Sequence, residues 1–420
     1  MYKNMAITVD FITRQVSVTT GADTLLLLSY SAKTIPVLKL IESQSQIDSV
    51  CGLNSPMGIE ANQWFRYGGR ILAVNLWGGG FTTRPAASYP IDAATRTITL
   101  PDTQVKNVSV SISGTPQTLN THYTQNLEKG TITFFPNLAG GVTAATVTYD
   151  YPNYTTPTFP LTLNPNEPVD SIFLTTKVSM DATNLTLLQG YAEDLRAYIF
   201  VGLTGTATAA ISGRYDNTKW WSDKDPRTVL VYPRTLTADD GVTTEPSALH
   251  MAGALSRNKF VNKWNGIEGL EILGANQVDP VEYSTDLVNN GISTFERLIN
   301  QPTRTLGQYT SAFVGDTTDP LRFFSTLQTR DEIYSVIVSV DNRYRGRKFT
   351  EDYIQLINSV LYQELRSLGG IYDVRVVFDR PNMVVSPTNL VTLPYIVSYK
   401  QRNAVELMVF TVILEIGDVA

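Results

Sequence analysis

The sequence predicts a multidomain α/β protein with an inserted small β-sandwich and strand-like arms at both chain ends. Three observations carry that prediction. Apolar strands alternate with short helices before about residue 85 and again after about residue 169, the pattern of α/β layers. Between these stretches helical periodicity disappears, and short alternating strands separated by turn residues replace it. Both chain ends read as strands, the last one apolar on both alternation classes.

In chain order, Ile7, Val9 and Phe11 alternate with Thr8, Asp10 and Ile12, giving a mainly apolar strand face. Residues 24–30 and 35–41 read as buried strands. Ser43 to Gly52 reads as a short helix stopped by glycine, and Ile59 to Phe65 as another. Arg70 to Leu76 is a strand, and Gly78-Gly-Gly80 closes the unit. From about Pro85 to Pro152, short runs at 97–100, 108–112, 131–135 and 147–151 predict the β-sandwich. A Pro/Thr/Asn-rich connector follows, to Pro168.

Asn184 to Leu195 then reads as a helix, Ala197 to Val201 and Thr228 to Tyr232 as strands, and Pro246 to Leu255 as a helix with small residues for close packing. Leu287 to Phe295 reads as a turn leading into a strand. Thr329 and Glu332 fit a capping box, with Thr329 as N-cap of a helix through Val340, although the β-branched residues leave a strand open. A second helix runs from about Glu351 to Leu368, with Ile354, Ile357, Leu361, Leu365 and Leu368 as its apolar stripe. Strands at 374–378 and 395–399 lead to the final one, Val405 to Ile416. These readings divide the chain into an N-terminal arm (1–20), a first core part (21–84), the β-sandwich (85–153), a central α/β domain (154–326), a C-terminal core (327–403) and an arm strand (404–420).

The final strand has two readings. Met408, Phe410, Val412, Leu414 and Ile416 occupy one alternation class; Val405, Leu407, Val409 and Ile413 occupy the other. It can be a buried strand of the chain's own sheet, or part of it can add to a neighbouring subunit's sheet.

Composition narrows the function classes. The 420 residues are 43% hydrophobic but only 17% charged, so a surface covered by partners is expected more than one covered by water. A net charge of −6 argues against a nucleic-acid surface spread over the whole chain. One cysteine, Cys51, excludes an internal disulfide and a cysteine-cluster metal site, and two histidines, His122 and His250, leave little acid–base chemistry. No apolar run reaches the length of a membrane span, and no signal peptide is evident, so cytoplasmic synthesis is expected.

Catalytic motifs are missing: no Gly-x-Ser-x-Gly elbow, no His-Glu-x-x-His, no phosphate loop, no dinucleotide fingerprint. His250 reads as a packed or surface histidine, His122 as a loop residue, Cys51 as core, and the aspartates at 223, 225, 239 and 240 as solvated turns. No catalytic, cofactor or metal residue is assigned. The densest positive charge is Arg343, Arg345, Arg347 and Lys348. It reads either as a solvated loop or as a charged interface that meets acidic residues of a neighbour.

The order of these pieces resembles the contractile tail sheath proteins of myoviruses and related contractile injection systems. Leu25 to Ile41 followed by Trp64-Phe-Arg-Tyr-Gly-Gly-Arg-Ile-Leu-Ala-Val74 is similar to the family's N-terminal opening. The β insert follows where many sheaths carry one. Residues 229–233 and 247–253 resemble the central domain, which the family describes as subtilisin-like. Asn289 to Phe295, Arg304 to Gly307, the helix ending near Ile371 and the stretch from Pro394 onward resemble later sheath segments.

The resemblance implies a sheath core with a central subtilisin-like domain and no enzymatic activity. It implies hexameric rings stacked helically around a tail tube protein, with baseplate and tail terminator proteins at the ends and no direct nucleic-acid or membrane contact. The sheath would belong to a virion tail, assembled in the host cytoplasm, and would contract to drive the tube through a cell envelope. The terminal arms would add strands to neighbours: Ile7, Val9 and Phe11 at one end, and Leu407, Val409, Phe410, Val412, Ile413, Leu414 and Ile416 at the other. The expected division leaves residues up to about Val412 partly in the home sheet and sends the rest to a neighbour. A secreted adhesin or carbohydrate-binding protein is the reading from another class.

Overall fold

Four consecutive leucines, Leu25 to Leu28, satisfy both faces of a strand only if both are covered, and all four are fully buried in β1 (Thr24–Ser29). The computed structural model describes residues 23–31, 33, 38–77, 80–136, 141–152, 157–160, 162–163, 168–214, 227–241, 243–257, 270–276, 284–296, 302–307, 309–310, 320–344, 350–368, 371–385, 391–401 and 407–416.

After β1 come β2 (Lys39–Ile41), the short helix α1 (Ile47–Val50), α2 (Pro56–Phe65) and β3 (Arg70–Asn75). Ser55 caps α2 by accepting from the Gly58 amide, and Pro56 stands at the first helical turn, where its missing N–H costs nothing. The insert follows as β4 (Phe81–Pro90), β5 (Thr97–Thr99), β6 (Lys106–Ile112), β7 (Thr115–Pro116), β8 (Tyr123–Asn126), β9 (Thr131–Phe134) and β10 (Ala144–Pro152). Then come β11 (Ser171–Leu174), α3 (Ala182–Leu195), β12 (Tyr198–Gly202), α4 (Ala207–Arg214) and β13 (Thr228–Val231).

These segments build one six-stranded sheet in the order β13-β12-β11-β1-β3-β2, parallel except for the edge strand β2. The sheet draws strands from two of the expected divisions of the chain. Strands from residues 21–84 and from 154–326 share it, because β1 pairs with β3 on one side and β11 on the other. The insert separates the two halves in sequence only. One face of the sheet packs Leu25 and Leu27 against Met57, Ala61 and Trp64 of α2. The other packs Leu26 and Leu28 against Leu185 and Leu188 of α3. Each buried leucine contributes about 1.5–3 kcal/mol of hydrophobic stabilisation.

The insert is two facing sheets, β4-β10-β6-β7 and β5-β9-β8, around Ile98, Val110, Ile132, Val147 and Tyr149. It begins at Phe81 and not at Pro85. Pro85 and Pro90 hide β4 from a propensity reading, but among the described residues β4 is an edge strand paired with β10, the place in a sheet where proline is tolerated.

Small pairings β14 (Thr235–Ala238), β15 (Thr244–Pro246), β16 (Ala275–Asn276), β17 (Thr294–Glu296) and β18 (Arg304–Leu306) surround α5 (Ser247–Arg257) and α6 (Ser284–Asn289). The stretch read as a turn before residue 295 therefore opens with the short helix α6. A Cβ on Gly253 would stand 2.3 Å from the Tyr67 ring, so α5 needs glycine there to reach the segment after α2.

The long helix α7 (Phe324–Tyr344) starts five residues before the expected cap. Thr329 lies inside it and donates its hydroxyl to the Ser325 carbonyl at 2.9 Å. Tertiary packing explains the earlier start: Phe324 and Leu327 are buried in the α2 side of the large core. Farther along, Ile333, Ile337 and Val340 enter a separate core built with α8 (Glu351–Ser367) and the terminal sheet. Thr350 caps α8 by accepting from the Tyr353 amide, with Glu351 and Asp352 in its first turn. The chain closes with β19 (Ile371–Phe378), β20 (Val384–Val385), β21 (Val391–Gln401) and β22 (Leu407–Ile416).

Candidate assembly interface

The terminal sheet holds half of the expected interface residues, those of the last strand. β21 pairs with β19 and β20 along one edge and with β22 along the other, all antiparallel. Its helix-facing side presents Val374, Val376, Tyr395, Val397 and Tyr399 to α7 and α8. A register shift between Tyr372 and Arg375, with Asp373 at φ 53°, lets Ile371 and Val374 both turn inward across the irregularity. The opposite side is open at Tyr372 and Val377, which are 46% and 55% exposed.

The register places β22 positions in two rows. Met408, Phe410 and Val412 stand opposite Tyr399, Val397 and Tyr395, the helix-facing row. Leu407, Val409 and Ile413 stand opposite Lys400, Ser398 and Pro394, the row without helices. Leu414 and Ile416 pair with Leu393 and Val391. Pairing with β21 runs past the expected division near Val412 to Ile416, and β21 is long enough to match the whole of β22. Among the described residues, β22 pairs with β21 and with no other strand, so its far edge is unmatched.

The other predicted residues are only partly placed. Ile7, Val9 and Phe11 lie outside the described residues, as do Arg345, Arg347 and Lys348. Arg343 ends α7 and pairs with Glu364 of α8 at 2.8 Å, so its charge meets an acid of its own chain.

Two buried polar clusters escaped the sequence reading. In the first, the His250 Nε2–H donates to Glu245 at 3.0 Å, and Glu245 also meets Arg66 at 2.7 Å. Tyr67 donates its hydroxyl to His250 Nδ1 at 2.8 Å while accepting from the Leu273 amide at 3.0 Å. That chain of donors fixes a neutral imidazole. Burial holds the His250 pKa below its ordinary value, against the pull of Glu245. Burial pushes the Glu245 carboxyl up, but His250 and Arg66 outweigh it and hold the pKa below the usual carboxylate value. His250 is fully buried.

In the second cluster, Arg227 grips Asp331 through two bonds of 2.7 and 2.9 Å, and Tyr198 donates to the same carboxylate at 2.6 Å. Burial works against the charge on Asp331, but Arg227 and Arg330 hold its pKa below the usual range. This cluster fastens α7 to the starts of β12 and β13. No motif could have revealed it, because the partners are 104 and 133 residues apart.

Among the described residues no three histidine, cysteine or acidic side chains are placed to hold a metal ion, and no helix is long and apolar enough to cross a membrane. Cys51 is buried, and burial pushes its thiol up to about 11. His122 accepts from the Thr118 amide in an insert turn, and Asp240 accepts from the Thr243 amide.

No protein-family model matches the chain, and no curated protein matches it in sequence. Solved structures do. A chain of the anti-feeding prophage helical sheath in its contracted state matches with a TM-score of 0.50 at 10% identity, over 89% of each chain. The chain has the contractile-sheath fold. A chain of the contracted anti-feeding prophage baseplate gives 0.53 at 11% identity, again over 89% of each. One from the six-fold symmetrised baseplate gives 0.52 at 10% identity, over 99% of this chain and 96% of that one. These matches cover 89% to 99% of this chain, so the likeness is not confined to a single module.

Proposed function

We propose that this protein is the structural subunit of a contractile sheath. It stacks as hexameric rings around an inner tube, meets baseplate and terminator proteins at the ends, and contracts to drive the tube through a cell envelope. The observation that carries this reading is the match across nine-tenths of the chain to a subunit of a helical sheath. In this reading the six-stranded sheet belongs to the body that the family describes as subtilisin-like, and the protein performs no covalent chemistry. The assembly is a virion tail made in the host cytoplasm.

The arms join the subunits. β22 is the acceptor: a ten-residue strand with one edge matched by β21 and one unmatched among the described residues. A strand from a neighbour, carrying Ile7, Val9 and Phe11, adds to that edge. Leu407, Val409 and Ile413 gain cover from the neighbour on the side without helices. Arg345, Arg347 and Lys348 face acidic residues of the next subunit.

Negative-stain microscopy tests this. The full chain is expected to form tubular polymers. A chain lacking residues 1–20 keeps every strand of the terminal sheet and is expected to stay small while remaining folded by circular dichroism. Tubes from the shortened chain would sink the strand-addition scheme. A full chain that stays monomeric at every concentration would sink the sheath reading itself.

A further inference from the structure

The parallel sheet has a point at which its winding reverses. From β1 the chain moves to β3 on one side, then returns to β11 on the other side and continues outward to β12 and β13. The reversal lies between β1 and β11. In open α/β sheets a crevice forms outside the carboxyl ends of the strands at such a point, and ligands usually occupy it. Here a side chain of the protein closes it. Glu60, on α2, reaches over the strand ends and is 4% exposed. Ser29, the last residue of β1, lies 2.5 Å from Glu60 Oε2, and Thr175, the residue after β11, lies 2.6 Å from Oε1. One carboxyl group thus bridges two adjacent strands and the helix above them.

Both contacts are hydroxyls, which donate or accept as required. The carboxyl group therefore finds partners with its proton on or off. Its charge is less well served. Lys177 is the cation that faces it, from the segment after β11, and the Thr176 amide adds a hydrogen bond. Arg234, which also reaches this segment, spends its guanidinium on the carbonyls of Thr176 and Val178. A buried carboxylate without a close ion-pair partner is costly. Burial accordingly pushes Glu60 up to about 7, against the hydrogen bonds of Ser29 and Thr175.

We propose that Glu60 is a proton-dependent pin at the reversal point of the sheet: protonated, it holds α2 against the ends of β1 and β11, and ionisation loosens that hold. The sign follows from linkage. The carboxyl group binds its proton more tightly when pinned than when exposed, so the pin is strongest in mild acid and weakens as pH rises to neutrality. This device is independent of the sheath reading.

Hydrogen exchange on the full chain tests it. After correction for the intrinsic pH dependence, the opening equilibrium of α2 amides is expected to rise about tenfold per pH unit between about pH 5 and 7, then level off. Glu60→Gln keeps the hydrogen-bonding shape without the proton and should give a flat profile. A flat wild-type profile, or the same slope in Glu60→Gln, overturns the proposal. If Glu60→Gln fails to fold, infrared spectroscopy of the wild-type chain decides. A protonated-carboxyl band that disappears with a midpoint near neutrality supports the pin, and its absence at pH 5 overturns it.

Discussion

The six-stranded sheet and the terminal sheet solve different covering problems. β1 is buried at every position, because helices lie on both faces of its sheet. β19 alternates, apart from its irregularity, because α7 and α8 cover one face only. By this rule β22 has the wrong sequence for its place. It is apolar on both alternation classes, like a strand of the parallel sheet, yet it sits in the sheet that has helices on one side. Among the described residues no helix lies on the side of its second row, and the proposed neighbouring subunit would supply that cover. That is the physical support for giving its second row to a neighbouring subunit.

Substitutions can break or sharpen this contrast. The largest effect is expected where the two regions are joined. Asp331→Ala leaves Arg227, 3% exposed in its side chain, without its carboxylate, and should lower stability by about 3–5 kcal/mol in chemical denaturation. Leu27→Ala, in the doubly covered sheet, should cost about 2–5 kcal/mol in the same measurement.

A smaller response is expected from acid. The His250 pKa is lowered by folding, so its contribution is full above about 6.5 and is lost as pH falls below that value. The melting-temperature difference between the wild-type chain and His250→Gln should therefore shrink as pH falls below about 6.5, a comparison in which the opposite contribution of Glu60 cancels. The smallest effect belongs to the open face. Val377→Ala should change monomer stability by no more than about 0.5 kcal/mol. A loss there comparable to that of Leu27→Ala would show that the open face is covered within the monomer, and the contrast would fail.

Local patterns made most of the elements legible. The leucine run announced β1, the glutamate-aspartate start and apolar stripe announced α8, and the turn residues announced the insert. Three things were hidden for physical reasons. Edge-strand prolines concealed β4. The true start of α7 depends on burial of Phe324 and Leu327 by residues far away in sequence. The pairing of β1 with β11, across the whole insert, has no local signal at all. The candidate interface was legible as a pattern, in the double apolar character of the last strand. Its register was not, because register depends on the length and position of β21.

Helix α7 carries one more consequence. Its first two turns are anchored in the core beneath the parallel sheet, where the Phe324 ring lies 4.7 Å from that of Tyr198, and its later turns are anchored beneath the terminal sheet. One unbroken helix thus reaches from one core into the other, and the Arg227–Asp331 clasp sits between its two anchorages.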